Sequence, residues 1–110
     1  MENHFKSIND KEILGELLAR SDSEPVALFK HSTTCPISAS AYREMEDFPG
    51  EVALVEVQRA RDLSHEIGER TGVKHESPQV IILRHGRAVW HASHWNITAQ
   101  AVQQAMRDHA

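Results

Sequence analysis

The sequence contains a single cysteine, Cys35. One thiol cannot close an internal disulfide, and free thiols persist in reducing compartments, so a cytoplasmic address is expected. No stretch approaches the ~20 consecutive apolar residues of a membrane span. Met1 to Lys11 is polar and lacks the apolar centre of a signal peptide, so no membrane partner is expected and the protein is expected to stay where it is made. Positive charge is also short. Twelve Lys and Arg stand against sixteen Asp and Glu, a net charge of −4, and the basic residues are scattered instead of forming a stripe. Without a basic field for a phosphate backbone, nucleic acid is not expected as a partner. Repeats, linkers and low-complexity segments are absent too, and 110 residues allow one domain, 1–110, with one economical core.

What is present is a regular alternation of patterns. Asn9, with Glu12 three residues on, resembles a capping box before the helical stripe Ile13, Leu14, Leu17 and Leu18. Ser21 to Pro25 breaks it. Val26-Ala27-Leu28-Phe29 is continuously apolar, as expected of a central strand covered on both faces. From Pro36 the positions Ile37, Ala41, Met45 and Phe48 predict a second helix, ended by Pro49-Gly50. Val52 to Val57 reads as another strand, and Asp62 as the cap of a helix with Leu63 and Ile67 inward and Gly72 as its stop. Such βαβα order implies parallel strands joined by right-handed crossovers. Gln79 to Leu83, the turn Arg84-His85-Gly86-Arg87 and Ala88 to His91 then predict a hairpin, and Val102, Ala105 and Met106 a closing helix from Thr98.

Cys35 falls where the central strand gives way to the second helix. A lone cysteine is most often a small buried hydrophobe. Here its neighbours Thr33, Thr34 and Ser38 are polar, and Pro36 at the first helical position gives up an N–H that has no partner there anyway. The junction therefore reads as an exposed helix start, whose unpaired N–H groups favour a thiolate, and Cys35 as a reactive thiol.

A helix, then βαβα, a hairpin and a final helix, with Cys35-Pro36 at the first strand-to-helix junction and Ser77-Pro78 before the third strand, resembles the thioredoxin fold. The resemblance implies an α/β domain with a four-stranded mixed sheet flanked by helices and an additional N-terminal helix. It also implies that Pro78 is cis and that the Ser77 backbone faces the sulfur of Cys35. Within that superfamily, Thr33-Thr34-Cys35-Pro36-Ile37-Ser38, Glu76-Ser77-Pro78-Gln79 and Ser93-His94-Trp95-Asn96-Ile97-Thr98 resemble the YtxJ-type monothiol bacilliredoxins. That likeness implies a thiol-disulfide oxidoreductase that removes bacillithiol from mixed disulfides on client proteins, with bacillithiol as co-substrate, a second low-molecular-weight thiol to release Cys35, and no metal.

Departures from other relatives sharpen the expectation. The second cysteine of dithiol thioredoxins falls on Ser38, so no internal thiol resolves the product, and their buried carboxylate falls on Phe29. The lysine of glutaredoxins, three residues before the nucleophile, falls on Ser32. Lys30, Arg59 and Arg61 are candidates to meet an anionic thiol, against the default of solvated surface charge. On this reading Cys35 and Ser38 are the catalytic residues, and Thr34, Pro36, Ser77, Pro78 and Trp95 bind substrate. Ser38 either hydrogen-bonds toward the sulfur or caps the first turn. Trp95 either lines the groove beyond Pro78 or is a half-buried core aromatic; Trp90 reads as core. His91 and His94 lie on opposite faces of a strand and do not pair around a metal. His31, His75 and His94 are candidates for the rim of the thiol, with surface residence as the default. Two rival classes remain: a glutaredoxin-like iron–sulfur or glutathione-dependent carrier, against which Pro36 stands where such relatives place glycine, and a docking module with an inert Cys35.

Overall fold

The apolar run from Val26 becomes the middle of the sheet because it is buried from both sides. The computed structural model describes residues 4–110; Met1, Glu2 and Asn3, the start of the polar stretch noted above, lie outside the described residues. The elements are β1 (Phe5–Ser7), α1 (Lys11–Arg20), β2 (Val26–His31), α2 (Pro36–Asp47), β3 (Val52–Glu56), α3 (Arg61–Thr71), β4 (Gln79–Arg84), β5 (Arg87–Ser93), a 3-10 turn (His94–Asn96) and α4 (Ala99–Asp108). The strand order is β1-β3-β2-β4-β5. β1, β3 and β2 run parallel, and β4 and β5 each run antiparallel to their inner neighbour.

Alternation along β2 divides the core in two. Val26 and Leu28 pack with Leu14 and Leu17 of α1 and Leu63 and Ile67 of α3. Ala27 and Phe29 pack on the other face with Ala41 and Met45 of α2 and Val102 and Ala105 of α4. Each helix thus lays its apolar stripe on one face, and the helices after β2 and β3 lie on opposite sides. The fold is thioredoxin-like.

Several local expectations are corrected. The sheet has five strands, not four, because Phe5, Lys6 and Ser7 pair with Val52, Ala53 and Leu54 along the otherwise free edge of β3. Three residues are too few for alternation to show, and the backbone of β3 supplies the reason for pairing. Asp10, not Asn9, caps α1, its carboxylate accepting from the Ile13 N–H at 3.0 Å. Asp62 lies inside the first turn of α3, whose cap position is Ala60, while Gly72 ends that helix in the left-handed region at φ 73°. The hairpin strands are longer than their apolar pattern, since Arg84 and Arg87 are paired and only His85 and Gly86, at φ 57° and 75°, make the turn. Arg84 is held there by Ser21 and Asp22, whose carbonyls accept from its guanidinium at 2.9 and 2.8 Å. On α2, Ile37 is only half-buried, and Ser38 takes the inward place. Trp90 is half-buried against the α2/α4 cluster instead of lying within it.

Phe29 carries the α2-side core up to the end of β2 and has no exposed surface. Replacing it with alanine is expected to cost about 3–5 kcal/mol, the lost transfer energy plus the cavity. Urea unfolding followed by tryptophan fluorescence measures this as a lowered midpoint.

Candidate functional site

β2 and β3 end side by side, with His31 opposite Glu56 and the Val57 N–H donating to the His31 carbonyl at 2.9 Å. Because α2 and α3 then leave to opposite faces, the two following loops part and open a crevice at the strand ends. In open α/β sheets this is where ligands bind. The Ser77-Pro78 loop joins the same end of the sheet, since β4 begins at Gln79 opposite Lys30.

Cys35 is the N-cap residue of α2, at φ −101° and ψ 124°, and is half-buried; Pro36 follows as the first helical residue. The Cys35 carbonyl already accepts from the Ala39 N–H at 3.0 Å, while the N–H groups of the first turn have no helical partner. Thr34 and Pro36 beside it are exposed. Ser38 is fully buried one turn later. Its hydroxyl accepts from the Ser32 N–H at 2.9 Å and lies 2.7 Å from His31 Nδ1, so it fastens the loop to the end of β2 instead of capping the first turn.

His31 is not at the surface. It is 9% exposed, its ring lying 4.8 Å from that of Tyr42 and 5.5 Å from that of Phe29. Burial pushes its imidazole below the ordinary histidine range, with the Glu56 charge pulling the other way. Lys30 likewise departs from the solvated default. It continues the inward row of Val26 and Leu28, has no exposed surface, and donates from Nζ to His75 Nδ1 at 3.1 Å. Burial lowers its pKa from 10.5 to about 8. His75 is lowered as well, by burial first and then by the Lys30 charge, against the opposing pull of Glu76. Arg59 and Arg61 are exposed, as their type predicts.

The Ser77–Pro78 peptide bond is cis. Ser77 is half-buried and Pro78 buried, and the Pro78 carbonyl accepts from the His94 N–H at 3.0 Å. That bond ties the 3-10 turn carrying Trp95 to the proline loop. Trp95 is 68% exposed, which excludes the core role left open for it. The structure therefore assembles two groups at one end of the sheet: Thr34, Cys35, Pro36 and Ser38 after β2, and Ser77, Pro78 and Trp95 around the start of β4.

Gln58 escaped the sequence reading altogether. From the loop after β3 its amide donates to Ser32 Oγ at 2.8 Å and Thr34 Oγ1 at 3.1 Å, and its carbonyl accepts from the Thr33 N–H at 3.3 Å. It braces the segment leading to Cys35 from a position more than twenty residues away in sequence, and no local pattern marks it. Lys30 was detectable. Its place in the same alternating row as Val26 and Leu28 points its side chain inward whatever its charge.

Two measurements follow from these contacts. Lys30 keeps its proton in the unfolded chain up to about pH 10.5 but in the folded chain only to about pH 8. The unfolded state thus binds more protons between those values, and stability rises with pH across that window. Lys30→Met removes the cost of the buried charge and is expected to stabilise the protein by about 1–3 kcal/mol below pH 8, the gain shrinking toward pH 10.5; thermal unfolding of both proteins across this range checks it. Gln58→Ala is expected to speed hydrogen exchange at the Thr33 amide while changing global stability by less than about 1 kcal/mol.

Comparison with known proteins agrees with this geometry. The family model described as monothiol bacilliredoxin BrxC matches residues 6–102. Among solved structures, a candidate oxidoreductase with a thioredoxin fold is 33% identical, with a TM-score of 0.84 and 92% of each chain covered. Thioredoxin from Fasciola hepatica is 13% identical, with a TM-score of 0.73 over 96% of this chain and 99% of that one. Thioredoxin from Trypanosoma brucei brucei is 18% identical, with a TM-score of 0.74 over 94% and 88%. These two thioredoxins share the fold. With the family match running from β1 into α4 and so containing Cys35 and the proline loop, the chain belongs to the monothiol bacilliredoxin BrxC family of thioredoxin-fold thiol redox proteins.

Proposed function

We propose that this protein removes bacillithiol from mixed disulfides on client proteins by a one-cysteine exchange, in the reducing cytoplasm. The observation that carries the reading is the lone cysteine, half-buried at the N-terminal end of α2, with a buried hydroxyl where a resolving thiol would otherwise stand. The Cys35 thiolate attacks the bacillithiol sulfur of the mixed disulfide. A new S–S bond forms between Cys35 and bacillithiol as the old one breaks, and the client sulfur leaves as a thiolate that takes up a proton. A second small thiol, as its thiolate, then attacks the bacillithiol sulfur bound to Cys35. That step returns the Cys35 thiolate and carries the disulfide away as a small-molecule product, so one disulfide is present throughout and no outside oxidant is needed.

The surrounding residues are assigned accordingly. Thr34 and Pro36 border the sulfur, the Ser77 backbone beside Pro78 receives the extended client segment by strand-like hydrogen bonding, and exposed Trp95 supplies an apolar face for it. Ser38 serves as a positioning residue, holding the loop that presents Cys35 through the Ser32 N–H.

Intact-mass measurement tests the reading. After incubation with an S-bacillithiolated client, the protein is expected to gain one bacillithiol on Cys35 while the client loses one, and added small thiol should reverse the gain. Cys35→Ala should do neither. A wild-type protein that stays unmodified beside an unchanged client would overturn it.

A further inference from the structure

The crevice on the α3 side of the Cys35 loop is used by none of the steps above. It is open to solvent and has a volume of about 460 Å³, with Ser32 and Gln58 on the Cys35 side and Arg61, Ser64, His65 and His75 around the rest. No acidic residue is among those described as lining it, although the chain as a whole carries a net charge of −4. Ser64 is 5% exposed, and its hydroxyl is buried without a hydrogen-bond partner among the described residues. A buried hydroxyl left so costs stability until something fills it. Behind the wall, Lys30 donates to His75 Nδ1 and makes no ion pair among the described residues. With Nδ1 accepting, the His75 proton stands on Nε2 as a second donor. His65 is already engaged by Glu69 at 3.3 Å, so it offers least.

We propose that this crevice binds the carboxylate end of the small thiol, with the Arg61 guanidinium, the Ser64 hydroxyl and the His75 imidazole as donors and the buried Lys30 ammonium holding His75 from behind. A guanidinium fork matches a carboxylate in shape and charge, and a buried ammonium without a counter-ion gains one when the ligand enters. Placement agrees with chemistry. Ser32 and Gln58 belong both to the crevice and to the bonds that hold the Cys35 loop, so a thiol whose sulfur meets Cys35 and whose carboxylates lie several bonds away spans the two. The choice of bacillithiol, which bears a malate in the resembled family, rests on the function proposed above; an acidic side chain of a client would present the same carboxylate chemistry.

Two measurements on the full chain keep these apart. Titration of 15N-labelled protein with L-malate, and separately with bacillithiol, is expected to shift the Ser64 amide, the Gln58 side-chain amide and the His75 ring signals in a saturable way. Arg61→Gln and Ser64→Ala should each weaken that binding about tenfold, the size of one charge-assisted hydrogen bond. In the second, one client is offered as its mixed disulfide with bacillithiol or with uncharged 2-mercaptoethanol. The kcat/KM ratio should favour bacillithiol in the wild type and fall about tenfold in either variant, whereas capture of a client carboxylate would lower both rates together and leave the ratio intact. Saturable shifts in a protein that exchanges neither disulfide would uphold the crevice and count against the exchange. Absence of shifts with both ligands, or a ratio that the variants leave unchanged, would overturn the crevice assignment.

Discussion

The parallel pairing of β2 with β3, closed by the bond from the Val57 N–H to the His31 carbonyl, is the constraint on which the rest depends. It brings two strand ends together while the apolar stripes of α2 and α3 pull the chain to opposite faces of the sheet. Neither the loop of Cys35 nor that of Gln58 has a choice of direction after that. Their side chains meet across the gap, and the amide of Gln58 converts a divergence of backbones into a braced rim. The position of Cys35 is thus a product of topology first and of local residues second.

The polar side chains beneath the rim divide between the same two faces. His31, one residue beyond Lys30, points toward α2 and is absorbed into a closed set with Ser38, Ser32 and the Tyr42 ring. Lys30 points toward α3 and is not absorbed; its ammonium faces a neutral imidazole. One side is hydrogen-bonded within itself, while the other retains a buried cation and an unpartnered hydroxyl. Sites that must bind something often hold such unmet groups at the expense of stability.

Most of the architecture was legible because burial writes itself into periodicity. The run from Val26 to Phe29, the stripes of α1 and α4, the Gly72 stop and the break at Ser77-Pro78 are all readable without coordinates. β1 was not, because three residues hold no period and its partner edge is set by the whole sheet. The α1 cap lies one residue on, since Asn9 and Asp10 offer equivalent registers until the backbone selects one, and α3 starts after Ala60 without any side-chain cap, so no residue type marks its start. At the site, the chain order itself exposed Cys35, Pro36 and the proline loop. The partners of Ser38 and the brace from Gln58 depend on distances across the fold that no local window contains. At Lys30 the two signals conflict, charge favouring exposure and strand parity the interior, and parity prevails.

The setting of Ser38 also bears on how this protein stands apart from its two-sulfur relatives. On paper a single codon change separates a hydroxyl from a thiol. In the folded chain that oxygen has no solvent contact, anchors a main-chain amide and touches an enclosed imidazole. A larger, weakly bonding sulfur atom would crowd that space and loosen its hold on the Ser32 amide, so exchanging the one atom also disturbs the joint around it. The one-thiol character is built into a packed joint as well as into the genetic text.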